Sequence, residues 1–182
     1  MNKVKLLVLI LALALPVGIF LFLKFFGKNE FEVKPLFTDV FPSNLPSDCG
    51  FQLAIPYVIP DTILSRLAWN SSDSLTLFSF NPEIAKPLYL DRLLLNNKPH
   101  LLRVVLIQGS TMKPVEEGKG IKSAVLADPV LAYSKNCFLF INEPNDLILV
   151  DQKGRIRGYY QLSNREEFDR LIMEISIILK QY

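Results

Sequence analysis

Residues 6–23 form an unbroken run of 18 residues without a charge, preceded by Lys3 and Lys5. At about 1.5 Å per residue, a helix over that run spans roughly 27 Å, close to the hydrocarbon thickness of a bilayer. Phe25 and Phe26 extend it past Lys24, whose methylene stem can snorkel. Pro16 and Gly18 are tolerated in a membrane helix. A cleaved signal peptide would need a small-x-small site after the run, and the chain there reads Phe22-Leu23-Lys24-Phe25-Phe26. No cysteine is placed for a lipid anchor. Residues 1–28 therefore read as a transmembrane signal-anchor. The amino terminus, Lys3 and Lys5 oppose Lys24, Lys28 and Lys34, so charge alone barely decides the orientation.

The charge balance divides at the same place. Residues 1–28 carry four lysines and no acid, which leaves 16 Lys+Arg against 18 Asp+Glu, a net of −2, for residues 29–182. The basic pI of about 8.5 belongs to the first segment. Nucleic-acid binding would need a basic patch on the folded part, so no nucleic-acid partner is expected. The length of 182 residues allows one ordinary domain after the anchor. Two cysteines cannot make a disulfide-rich scaffold or a zinc knuckle.

Residues 29–58 hold Pro35, Pro42, Pro46 and Pro56 and read as an extended linker or lead-in segment. Ser71-Ser72-Asp73-Ser74 is a turn cluster before a short apolar strand, Leu75–Phe80. From Pro82 to about Leu95 the apolar spacing is helical, with Asn81 as cap and Pro82 in the first turn. Leu101–Gln108 reads as a buried strand and 109–120 as a polar loop. Ile121–Tyr133 is ambiguous, a short strand followed by a short helix broken near Pro129. Leu147–Val150 and Arg155–Tyr160 flank Asp151-Gln152-Lys153-Gly154 as a β-hairpin. Ser163 and Glu166 match a capping box that opens a helix. Phe168, Leu171, Ile172, Ile175, Ile178 and Leu179 then make one apolar stripe. The expected fold class is α/β. Specifically, a thioredoxin-like sandwich over 59–182, a central sheet with flanking helices and a C-terminal ββα unit, is expected to follow one N-terminal transmembrane helix.

The stretch from Leu147 to Tyr160, with Arg165-Glu166-Glu167-Phe168-Asp169-Arg170-Leu171-Ile172, closely resembles the C-terminal end of Sco/SenC proteins. Ile59-Pro60-Asp61 is similar to that family's lead-in motif. The resemblance implies a membrane-anchored, thioredoxin-like protein of cytochrome c oxidase assembly. It also implies a bacterial inner-membrane location, single-pass, with the C-terminal domain in the periplasm. Copper ligation in the family uses a Cys-x-x-x-Cys pair after the first core strand and a histidine before the hairpin. Here Asn81-Pro82-Glu83-Ile84-Ala85-Lys86-Pro87 puts Pro82 and Lys86 at the cysteine positions, and counting back from Val150-Asp151 puts Glu143 at the histidine. The chain is thus similar to a degenerate member without the copper ligands.

Other chemistry is thin. Cys49 and Cys137 share no motif. A structural disulfide, two separate thiols and a catalytic thiol pair are all open. His100 is the single histidine and reads as a loop residue, and Met112 as a rim residue. No P-loop or dinucleotide motif occurs. The expectation is a non-enzymatic accessory protein with no catalytic residue, cofactor or metal. Its partners would be the lipid bilayer and membrane proteins of a respiratory or other envelope complex. Pro82, Lys86 and Glu143 mark the candidate contact surface. The alternative is an active thiol-redox or copper-binding protein using Cys49 and Cys137.

Overall fold

The computed structural model describes residues 3–26, 32–40, 49, 54–94, 101–112 and 120–180. The chain divides into two units, Met1–Glu32 and Val33–Tyr182. The first holds a helix, α1 (Lys3–Phe26), over the expected span. Among the described residues no helix is long and apolar enough to cross a membrane. Within α1 the side chains of residues 6–11, 23 and 25–26 lie outside the described ones.

The second unit runs α2 (Asp61–Arg66), β1 (Leu75–Ser79), a 3-10 turn (Pro82–Ala85), α3 (Pro87–Leu94), β2 (Leu102–Gly109) and β3 (Ile121–Leu126). It continues with α4 (Asp128–Tyr133), a π-turn (Ser134–Phe138), β4 (Leu147–Asp151), β5 (Ile156–Tyr160) and α5 (Arg165–Leu179). The strands form one mixed sheet in the order β3-β2-β1-β4-β5. β1 and β2 pair in parallel, as do β2 and β3. β4 is antiparallel to both β1 and β5. This is an α/β sandwich, as the alternation of strand-like and helix-like segments predicts.

The central strands are mostly apolar because both of their faces are covered, with Thr76, Ser79, Arg103, Gln108 and Asp151 as the polar exceptions. Alternate residues serve the two faces. Phe78, Val105, Ile107, Ile148 and Val150 pack with Tyr57, Ile59 and the α2 residues Ile63 and Leu64. Leu75, Leu77, Val104, Leu106, Leu147 and Leu149 pack with Leu93 of α3 and with Phe168, Leu171, Ile175 and Ile178 of α5. Each of these fully buried α5 side chains contributes about 1.5–3 kcal/mol of transfer free energy. Ile172 and Leu179 flank that stripe, partly buried.

Three local details differ from the sequence expectation. The helical spacing over 82–95 splits at Lys86, because Pro87 pushes the preceding residue to an extended conformation (φ −64°, ψ 138°). Pro129 does not break α4; it lies in the first turn, where a missing N–H costs nothing. The cap of α5 is Asn164 rather than Ser163. Its Oδ1 accepts from the Glu166 and Glu167 N–H groups, while the Ser163 hydroxyl accepts from Gln161 Nε2.

The segment before α2 adds to the open side of β5. Leu36 N–H donates to the Ile156 carbonyl (2.8 Å), and Ile59 N–H to that of Gly154 (3.0 Å). The hairpin is closed from inside by Asp151, whose carboxylate is fully buried. It accepts from the backbone N–H groups of Lys153 and Arg155 and from the side chains of Arg155 and Arg157. Arg157 in turn donates to the Val33 carbonyl (2.5 Å). One buried carboxylate, paired with two arginines, thus fixes the turn and, through Arg157, tethers the incoming chain.

Candidate partner surface

The register places the candidate residues. Ser79, the last residue of β1, lies opposite Leu147, the first of β4. The loop leaving β1 and the loop entering β4 therefore share one end of the sheet. In open α/β sheets, the carboxyl ends of parallel strands are where sites are built.

Two short side chains lock these loops together. Ser79 Oγ accepts from Asn81 N–H (3.2 Å) and donates to the Asn81 carbonyl (2.9 Å). Asn81 is indeed a cap, since its Oδ1 accepts from Glu83 N–H (3.0 Å). Its other end was not anticipated: Nδ2 donates to Asp146 Oδ2 (2.8 Å). Asp146 Oδ1 accepts from Leu162 N–H (2.7 Å), and its backbone carbonyl accepts from Phe80 N–H. One carboxylate therefore joins the β1 loop, the β4 loop and the approach to α5.

Pro82 and Lys86 stand on the first loop and Glu143 on the second, all three exposed. Lys86 donates to Glu83 Oε1 (2.5 Å), and this hydrogen bond holds its ammonium above the ordinary lysine range. The Glu143–Pro144 peptide bond is cis. Lys135 Nζ lies 5.1 Å from the Phe80 ring centroid, which adds a cation to the same end of the sheet. Met112 is exposed near the end of β2, and His100 lies outside the described residues.

Copper(I) prefers thiolate, thioether and imidazole donors. Pro82 has no side-chain donor atom. The Lys86 lone pair is protonated, and Glu143 offers hard carboxylate oxygen. These residues do not fit copper.

Cys49 and Cys137 are bonded to each other, with Cα atoms 5.4 Å apart across a separation of 88 residues. Both are buried. The π-turn carrying Cys137 is held by two phenols. Tyr57 Oη donates to the Phe138 carbonyl and Tyr159 Oη to that of Leu139, each at 2.8 Å. Burial raises the pKa of both tyrosines, with the neighbouring Tyr57 adding to the rise at Tyr159, so both remain donors at neutral pH. Sequence reasoning missed this clamp, because single tyrosines in apolar segments look like ordinary core.

No protein-family model matches this chain, and no curated protein does either.

Proposed function

We propose that this chain is a membrane-anchored, thioredoxin-like protein related in design to Sco/SenC proteins, without their copper chemistry, that acts through protein contacts. Its single anchor is residues 6–23, in a bacterial inner membrane, with the domain in the periplasm. Its role is accessory to respiratory-oxidase assembly or to another membrane complex. The carrying observation is the Asn81–Asp146 bond, which brings the Pro82–Lys86 loop and the Glu143 loop to one end of the sheet. The residue types there support recognition rather than catalysis: exposed proline, a Glu83–Lys86 pair, and Glu143. The mixed sheet with its parallel β1-α3-β2 crossover and terminal hairpin plus helix supports the thioredoxin-like reading.

The test is affinity purification of the full-length membrane form, comparing wild type with a Lys86→Glu/Glu143→Lys double variant. Loss of a specific co-purifying membrane protein is the expected result. An unchanged complex would remove this surface from consideration.

The thiol-redox alternative draws its support from the Cys49–Cys137 bond itself. Against it stands the burial of both sulfur-bearing residues, since exchange needs an attackable sulfur. Full-length protein incubated with a dithiol at millimolar concentration should keep the bond while folded. Rapid, reversible cycling would favour the redox reading, and stoichiometric tight Cu(I) uptake would favour a copper protein.

A further inference from the structure

We propose that the groove between α3 and the start of α5 binds a small organic anion with an apolar body, an aryl or alkyl carboxylate. The site is separate from the surface considered above and does not depend on the function proposed for it.

The groove encloses about 330 Å³, within the size range of small-molecule sites. Its floor is apolar: Phe168 and Leu162 are buried, and Tyr89 meets the Phe168 ring edge-on at 5.1 Å. Leu88 stands at the rim with 67% of its surface exposed. Two guanidinium groups border this apolar surface, and they differ in what they already hold. Arg92 is engaged: it donates to Asp169 (2.5 Å) and lies over the Phe168 ring (5.2 Å). Arg165 is 91% exposed, and its ion-pair contact with Asp169 spans 3.9 Å. Arg165 can therefore turn its donor fork toward an incoming carboxylate while Arg92 stays in place.

The composition selects the ligand class. Leu88, Leu162 and Phe168 offer nothing to a bare inorganic anion, so a simple phosphate gains only the polar groups of the groove, the guanidinium and the Tyr89 and Ser163 hydroxyls. A neutral apolar molecule gains only the floor. A carboxylate on an aromatic or aliphatic body uses both. With one partly solvated ion pair and a shallow apolar contact, affinity falls in the roughly millimolar range.

The test uses the full chain in nanodiscs with ¹³C-labelled leucine methyls. Phenylacetate, phenylacetamide and inorganic phosphate are titrated in turn. Phenylacetate is expected to shift the Leu88 and Leu162 methyls saturably. Binding should weaken about fivefold in Arg165→Gln, and phenylacetamide should bind weaker by a similar factor, the loss of one exposed ion pair. Leu88→Ser, at an exposed position, should weaken phenylacetate without altering the fold. Phosphate should leave these methyls unmoved. The proposal is overturned by any of three results: unmoved methyls with phenylacetate, equal binding of acid and amide in wild type and Arg165→Gln, or phosphate matching phenylacetate.

Discussion

At the scale of single residues, Asp151 carries the most consequence. Burial by itself would raise its pKa. The side-chain and backbone hydrogen bonds from Arg155, the Lys153 N–H and the Arg155 charge outweigh that and lower it. A carboxylate whose pKa is depressed by folding stabilises the protein above its unfolded value, near 3.9 for Asp, and loses that contribution as pH falls through the folded value. Asp151→Asn should therefore cost about 3 kcal/mol at pH 7, since it leaves Arg157 buried without its partner charge. Urea unfolding at stepped pH checks this: the gap between wild type and variant should shrink below about pH 4. A constant gap would mean that the charge is immaterial. Gly158 is a second sensitive position. A Cβ there would lie 2.4 Å from the Tyr160 hydroxyl and 2.7 Å from the ring carbon bearing it, on a fully buried side chain. Gly158→Ala should lower stability by about 1–3 kcal/mol, read from the denaturation midpoint.

At the scale of elements, the two helix starts show how far local pattern reaches. The Asn81 cap and the Pro82 first turn were legible, because both depend on neighbours in sequence. At α5, the S-x-x-E pattern pointed one residue early. Asn164 and Ser163 are both good caps, and the choice depends on which backbone position turns extended, here Asn164 at φ −92°, ψ 115°. Asn164→Ala should cost about 1 kcal/mol and Ser163→Ala a few tenths at most, measured by thermal unfolding. Asp146 was not legible as a junction. An aspartate before an apolar strand looks like a turn residue until Asn81 and Leu162 are brought to it. Asp146→Ala should cost about 2–3 kcal/mol, since a charged acceptor leaves Asn81 Nδ2 and Leu162 N–H without their partner.

At the scale of the whole molecule, the Cys49–Cys137 bond is a covalent tie between distant parts of the chain. By loop-closure entropy, a cross-link over 88 residues is worth at most about 4–5 kcal/mol, and measured values run lower. A Cys49→Ala/Cys137→Ala variant should lose about 2–4 kcal/mol in denaturant unfolding and keep the wild-type fold by circular dichroism. Most strand segments, the hairpin and the α5 stripe follow from the amino-acid sequence alone, whereas the strand order and directions come from the tertiary structure. Alternation, turn residues and helical spacing are local signals, and burial on both faces leaves a mostly apolar run. The uncharged stretch at residues 6–23 and the charge asymmetry around it are of the same kind. Folding in three dimensions decided that the two cysteines are bonded rather than separate thiols, because Cys49 and Cys137 share no spacing signal and meet only through tertiary packing. It also joined the Asn81 loop to the Asp146 loop across 65 residues, and set Arg92 on Phe168 and Asp169 across 77. Hydrogen bonds and ion pairs act over a few ångströms, and separation along the chain carries no record of which distant groups come within that reach.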